Sequence, residues 1–106
     1  MKESLSDQLA LIRRHLDRAT AALASSGSEV ARAVLGEFVR KLEKAAAAMP
    51  SANAQTSREL IVEVEQAGDS AKVAADADSA MSADARKLVE IAHNAICVLK
   101  AETPAA

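Results

Sequence analysis

The sequence predicts an all-α fold, an up-down-up-down four-helix bundle, and three observations predict it. Alanine, which has the best helix propensity and the least side-chain entropy to lose, fills 26 of 106 positions. Aromatic residues, on which strand-rich domains of this size lean, are reduced to one Phe, with no Tyr and no Trp. Apolar residues recur at alternating spacings of four and three in separate stretches, which is the seam by which helices pack side by side. A length of 106 residues suits one domain with one core. A three-helix bundle with a loose third segment is the alternative.

The first helix is expected over about residues 6–24, where Leu5, Leu9, Ile12, Leu16, Ala19 and Leu23 form the stripe. Ser4 or Ser6 can cap it, and Asp7 sits well against the positive end of the helix dipole. Arg13, Arg14, Asp17 and Arg18 read as a solvated face, and His15, beside Leu11 and Gln8, as a boundary residue packing its ring edge. Ser25-Ser26-Gly27-Ser28 is a turn in which Gly27 can take a left-handed conformation and Ser26 with Glu29 resembles a capping box.

The second helix is expected over about residues 28–49. Ala31, Leu35, Phe38, Leu42, Ala45 and Met49 make its seam, and Val30, Val34 and Val39 widen that seam to about half the circumference. Such width implies either several helical neighbours or a contact with a second chain. Gly36 falls on the polar side. Pro50 ends the helix, and residues 51–56 read as a polar linker, with Thr56 and Glu59 as a further capping box.

ELIVEVEQ, residues 59–66, has the β-branched content of a strand. No second strand exists to pair with it, so a helix over about residues 57–77 is expected, with Leu60, Val64, Ala67, Ala71 and Ala74 in line. A seam of alanines buries little area, which makes this the least stable helix of the set. Val62 and Val73 project outward. The stretch from Asp76 to Lys87 fails as a calcium loop, because Met81 stands where glycine is needed and Lys87 where glutamate is needed. Residues 79–82 are read as a turn, with Ser82 capping a last helix over about residues 83–102 and Asp84 in its first turn. Residues 103–106 are expected to fray.

In the last helix Leu88, Ile91, Ala92, Ala95, Ile96, Val98 and Leu99 are expected to face the core, with Ala85 and Val89 at the margin. Arg86, Glu90, His93, Asn94 and Cys97 then share the outer face. Glu90 and His93 have the spacing of one half of a di-iron bundle motif, yet His15, with Ile12 three residues before it, supplies no second half. His93 and Cys97 alone give two of the four ligands that a structural zinc needs. No metal and no other cofactor is therefore expected. Cys97 as a nucleophile would have His93 one turn away but no oxyanion donors on an open helix face. Ile91-Ala92-His93 on a helix of a small bundle is similar to the start of the motif of histidine phosphotransfer domains. That resemblance implies His93 as a phosphoacceptor; Ile96 and Cys97 stand where that family carries lysine and glycine.

Composition narrows the function classes. With 13 basic and 15 acidic residues there is no basic surplus for nucleic acid, and no aromatic platform on which bases could stack. Three scattered glycines make no phosphate loop. The charges in MKESLSDQLALIRRHL argue against a signal peptide or membrane span, and a single cysteine suits a reducing compartment, so a bacterial cytoplasmic setting is expected. The expected function is a non-enzymatic protein-interaction or adaptor module. Its partner helix, or a second copy, would dock on Val30, Val34, Phe38 and Val39, and the alternative is a phosphorelay domain acting through His93.

Overall fold

The computed structural model describes residues 4–24 and 27–103. In it four helices run alternately up and down: α1 (Leu5–Leu23), α2 (Glu29–Ala48), α3 (Ala54–Ala77) and α4 (Ala83–Glu102). No strand occurs among the described residues. Each helix packs on two neighbours, α1 and α3 both lying between α2 and α4, so the four close into a square prism of 41 × 23 × 21 Å. The four-helix expectation is met.

The alternative with a loose third segment is corrected. α3 is the longest helix at 24 residues, and Leu60, Ile61, Val64, Ala67, Gly68, Ala71 and Ala75 are buried along it. The β-branched run is helical because Leu60, Ile61 and Val64 fall on one face, where α2 and α4 cover them. Ala75 rather than Ala74 closes the stripe.

Local chemistry sets the ends. Ser4, Ser28, Asn53 and Ser82 are the N-caps, and their side chains accept from the backbone N–H of Asp7, Ala31, Thr56 and Ala85. Asn53 takes the role expected of Thr56: a 3₁₀ turn over Met49–Ser51 absorbs Pro50, and the linker shrinks to Ala52 and Asn53. Ser28 caps α2; Ser25 and Ser26, with the capping box expected there, lie outside the described residues. Gly27 has φ +91°, the left-handed conformation expected of it.

The two turns at that end of the bundle hold each other. Asp78 accepts from the Ser28 N–H at 2.7 Å and from the Ala80 N–H at 3.0 Å, while the Gly27 N–H donates to the Ala80 carbonyl at 3.3 Å. These backbone donors, with Arg86 nearby, hold the Asp78 carboxyl below its ordinary value. The aspartate that failed as a calcium ligand is an anchor between turns.

At mid-height the Phe38 ring lies over Gly68. A Cβ at position 68 would sit 3.0 Å from the ring Cζ and 3.3 Å from Ile96 Cγ2, so only glycine leaves room for the ring. Leu9, Leu16, Leu42, Ile61, Val64, Val89 and Leu99 fill the space above and below. The expected burial of α4 is rotated: Ala85, Val89, Ala92, Ile96 and Leu99 make its buried line, and Val98 is 57% exposed. The physical reason is that α4 carries polar side chains that bond to α3, and these turn the helix toward that neighbour.

At the other end Thr103 is tied rather than frayed. It is buried, its hydroxyl donates to the Leu99 carbonyl at 2.7 Å and its own carbonyl accepts from Arg58 at 2.8 Å. Residues 104–106, the rest of the expected tail, lie outside the described residues. No helix among the described residues is long and apolar enough to cross a membrane.

Candidate functional site

Two features concentrate chemistry, and α4 contributes to both. The first is a polar ladder along the α3–α4 seam. At one end Arg86 donates to the carbonyls of Ala75 at 3.1 Å, Asp78 at 2.9 Å and Met81 at 3.3 Å, satisfying the last turn of α3. At the other Lys100 pairs with Glu65 at 3.1 Å, and Arg58 donates to the Lys100 carbonyl at 2.9 Å. Between them lies a cluster of three: His93 Nε2 is 2.6 Å from Asp69 Oδ1 and 3.6 Å from Cys97 Sγ.

His93 is thus not on the open surface where the wheel put it. Its side chain is 16% exposed, against 58% for Asp69, and Cys97 is half-buried beside it. The ladder draws this flank of α4 against α3. Arg86 likewise leaves the outer ridge to cap α3, and Glu90 turns to Lys87 at 3.7 Å. Asp69 is the residue sequence reasoning missed. A signal existed: Asp69 and His93 lie equally far from Met81 in the α3–α4 turn, so folding the chain about that turn sets them opposite.

The proton positions follow from the partners. At 2.6 Å from a carboxylate oxygen, which can only accept, Nε2 carries the proton and donates. Nδ1 is buried with no hydrogen-bond partner. Asp69 and Cys97 therefore meet the same ring nitrogen, and the ring cannot take a proton from the thiol while giving one to the carboxylate. Burial pushes the Cys97 thiol up, and the Glu65 and Asp69 carboxylates push the same way against Lys100. The arrangement lacks what a cysteine nucleophile requires. A phosphoryl group approaching Nε2 would have to displace the Asp69 carboxylate, which lies 2.6 Å from that nitrogen.

The second feature is a groove of about 450 Å³ between α1 and α4, lined by Gln8, Leu11, Ile12, Asn94, Ala95, Val98 and Glu102. Leu11 is 45% exposed and Val98 57%, and none of the ion pairs among the described residues falls on this lining.

The face expected on α2 disperses. Phe38 is fully buried in the core and is corrected from surface to interior. Val34 is half-buried toward α3, with Ala67 and Ser70; Val39 is half-buried in a cleft shared with Arg13 and Asp17 of α1; Val30 is exposed at the start of α2. The wide stripe has its explanation in two helical neighbours, α1 and α3. His15 stands at the boundary expected of it, half-buried with Nδ1 enclosed.

Compared with known proteins, the chain matches no family model, no curated protein and no solved structure.

Proposed function

We propose that this chain is a non-enzymatic interaction module that receives an amphipathic helix of a protein partner in the α1–α4 groove. The observation that supports the reading is the pairing of two exposed large apolar side chains, Leu11 and Val98, on a strip where no ion pair falls among the described residues. A trough between antiparallel helices suits a further helix, whose apolar ridge packs as the bundle's own helices do. Strand addition is disfavoured, since no strand among the described residues offers an edge. A second copy is disfavoured too. A stable dimer buries about 800 Å² on each side, and two large apolar side chains supply only a small part of that.

The test places a photo-crosslinking amino acid at Val98 and, as control, at Val73, exposed on α3, in cells of the native source. The reading expects a crosslink from position 98 that Leu11→Lys abolishes, that position 73 does not give, and that maps to a partner segment with apolar residues at helical spacing. Sedimentation of the purified chain should give a monomer. Equal capture from both positions, or a dimer broken by Leu11→Lys, would refute it.

A further inference from the structure

The geometry points to a divalent-metal site: we infer that Asp69, His93 and Cys97 bind one zinc-class ion across the α3–α4 seam. Three donors of different chemistry, a carboxylate oxygen, an imidazole nitrogen and a thiol sulfur, converge within 4.8 Å from two helices. Oxygen, nitrogen and sulfur together are a set for zinc or cobalt, whereas calcium and magnesium take oxygen alone.

Distances support the assignment. Bonds of about 2.3 Å to sulfur and 2.0–2.1 Å to nitrogen put the two donors roughly 3.6 Å apart around a tetrahedral zinc. Cys97 Sγ and His93 Nε2 are 3.6 Å apart. The edge from nitrogen to a carboxylate oxygen is about 3.4 Å in the same geometry, so Asp69, now at 2.6 Å, retracts to admit the ion. Its side chain is 58% exposed and free to do so. The fourth position opens on that exposed side, where water can fill it.

Charge and scaffold agree. Thiolate and carboxylate together bring two negative charges, which a dication neutralises. Lys100, whose charge acts on Cys97, is held by Glu65 at 3.1 Å. Arg86 and Arg58, bonded across the seam on either side, fix the register that brings the donors together. Binding forms the Cys97 sulfur, His93 Nε2 and Asp69 oxygen bonds to the ion. The thiol proton goes to solvent, and the ring proton moves from Nε2 to Nδ1, so one proton is released per ion. Because Nδ1 is enclosed without an acceptor, the bound ring gains no outer hydrogen bond to raise its basicity. The ion is accordingly exchangeable, held less tightly than in four-ligand structural sites.

Titration with Co²⁺, followed by absorbance and competed with Zn²⁺, tests this without any assay of activity. The expected result is one ion per chain, with a thiolate-to-cobalt charge-transfer band and tetrahedral d–d bands that Zn²⁺ displaces. Cys97→Ser, nearly isosteric, should remove the charge-transfer band. Asp69→Asn, nearly isosteric at a position 58% exposed, should weaken binding about tenfold or more while the helical dichroism stays unchanged. His15→Gln should change nothing. A chain without the band, or one whose Co²⁺ affinity is the same after Cys97→Ser, would overturn the assignment and leave only scattered surface carboxylates as ligands.

Discussion

Phe38 and Gly68 are complementary in a way that neither shows alone. A glycine inside a helix is worth about 0.5–1 kcal/mol less than alanine by backbone freedom, so Gly68→Ala would stabilise α3 if space allowed. It does not: the new methyl meets Phe38 Cζ at 3.0 Å, and the ring is enclosed. Overpacking of that kind costs about 1–3 kcal/mol. Gly68→Ala should therefore destabilise by roughly 1–2 kcal/mol on balance. Gly36→Ala should stabilise by up to about 1 kcal/mol, because a methyl there meets only Arg40 Nη1 at 3.6 Å. Urea unfolding followed by far-ultraviolet dichroism reads both, there being no Trp or Tyr to follow. At this scale the sequence was half legible. Phe38 sits on the α2 seam by spacing alone, but the need for glycine at 68 depends on which neighbour that ring meets.

Three helices were legible from the four-and-three spacing of their stripes alone; α3 was not, because ELIVEVEQ could have formed a strand, and it read as a helix only because no second strand was there to pair with it. The relation between α3 and α4 was not, since it rests on side chains that bond across a seam whose rotation the wheel cannot set. The apolar arc of α4 is broad, and several rotations bury it about equally; the ladder of Arg86, His93 and Lys100 chooses among them. That choice moved His93 inward and Val98 outward, and with them both candidate sites. Arg86 tests the ladder. Arg86→Ala removes three donor contacts to the carbonyls of Ala75, Asp78 and Met81, and hydrogen bonds to charged groups are worth about 1.5–3 kcal/mol. With partial solvation of the freed carbonyls, a loss of about 1–3 kcal/mol is expected. Hydrogen exchange should locate it, by faster exchange at the Asp78 and Met81 amides, which close the last turn of α3 and the loop after it.

For the whole molecule the decisive contact is Asp78 across to Ser28, which joins the first helical hairpin to the second. The two backbone N–H groups bind the ionised carboxylate, so its folded value lies below the ordinary 3.8. Its stabilising contribution is then complete above that ordinary value and is lost as pH falls through the lowered one. Asp78→Asn should lower the melting temperature at neutral pH and match the parent once acid has protonated the aspartate. A difference that persisted unchanged into acid would show that the charge is not what holds the turns. The opposite side of the bundle is joined differently. Between α1 and α2, among the described residues, the one ion pair is Arg13 with Glu43 at 3.5 Å, and Arg32 donates to the Leu23 carbonyl at 3.5 Å and to the Gly27 carbonyl at 2.9 Å. α3 and α4 are keyed at three levels, like the bound spine of a book: Arg86, His93 and Lys100 stand seven residues apart on α4, while their partners Ala75, Asp69 and Glu65 are unevenly spaced on α3, so sliding one helix past the other by a turn would break the match. The α1–α2 edge is the loosely stitched fore-edge. Opening of the pages is expected there first, read as faster amide exchange along α1 and α2 than along α3 and α4.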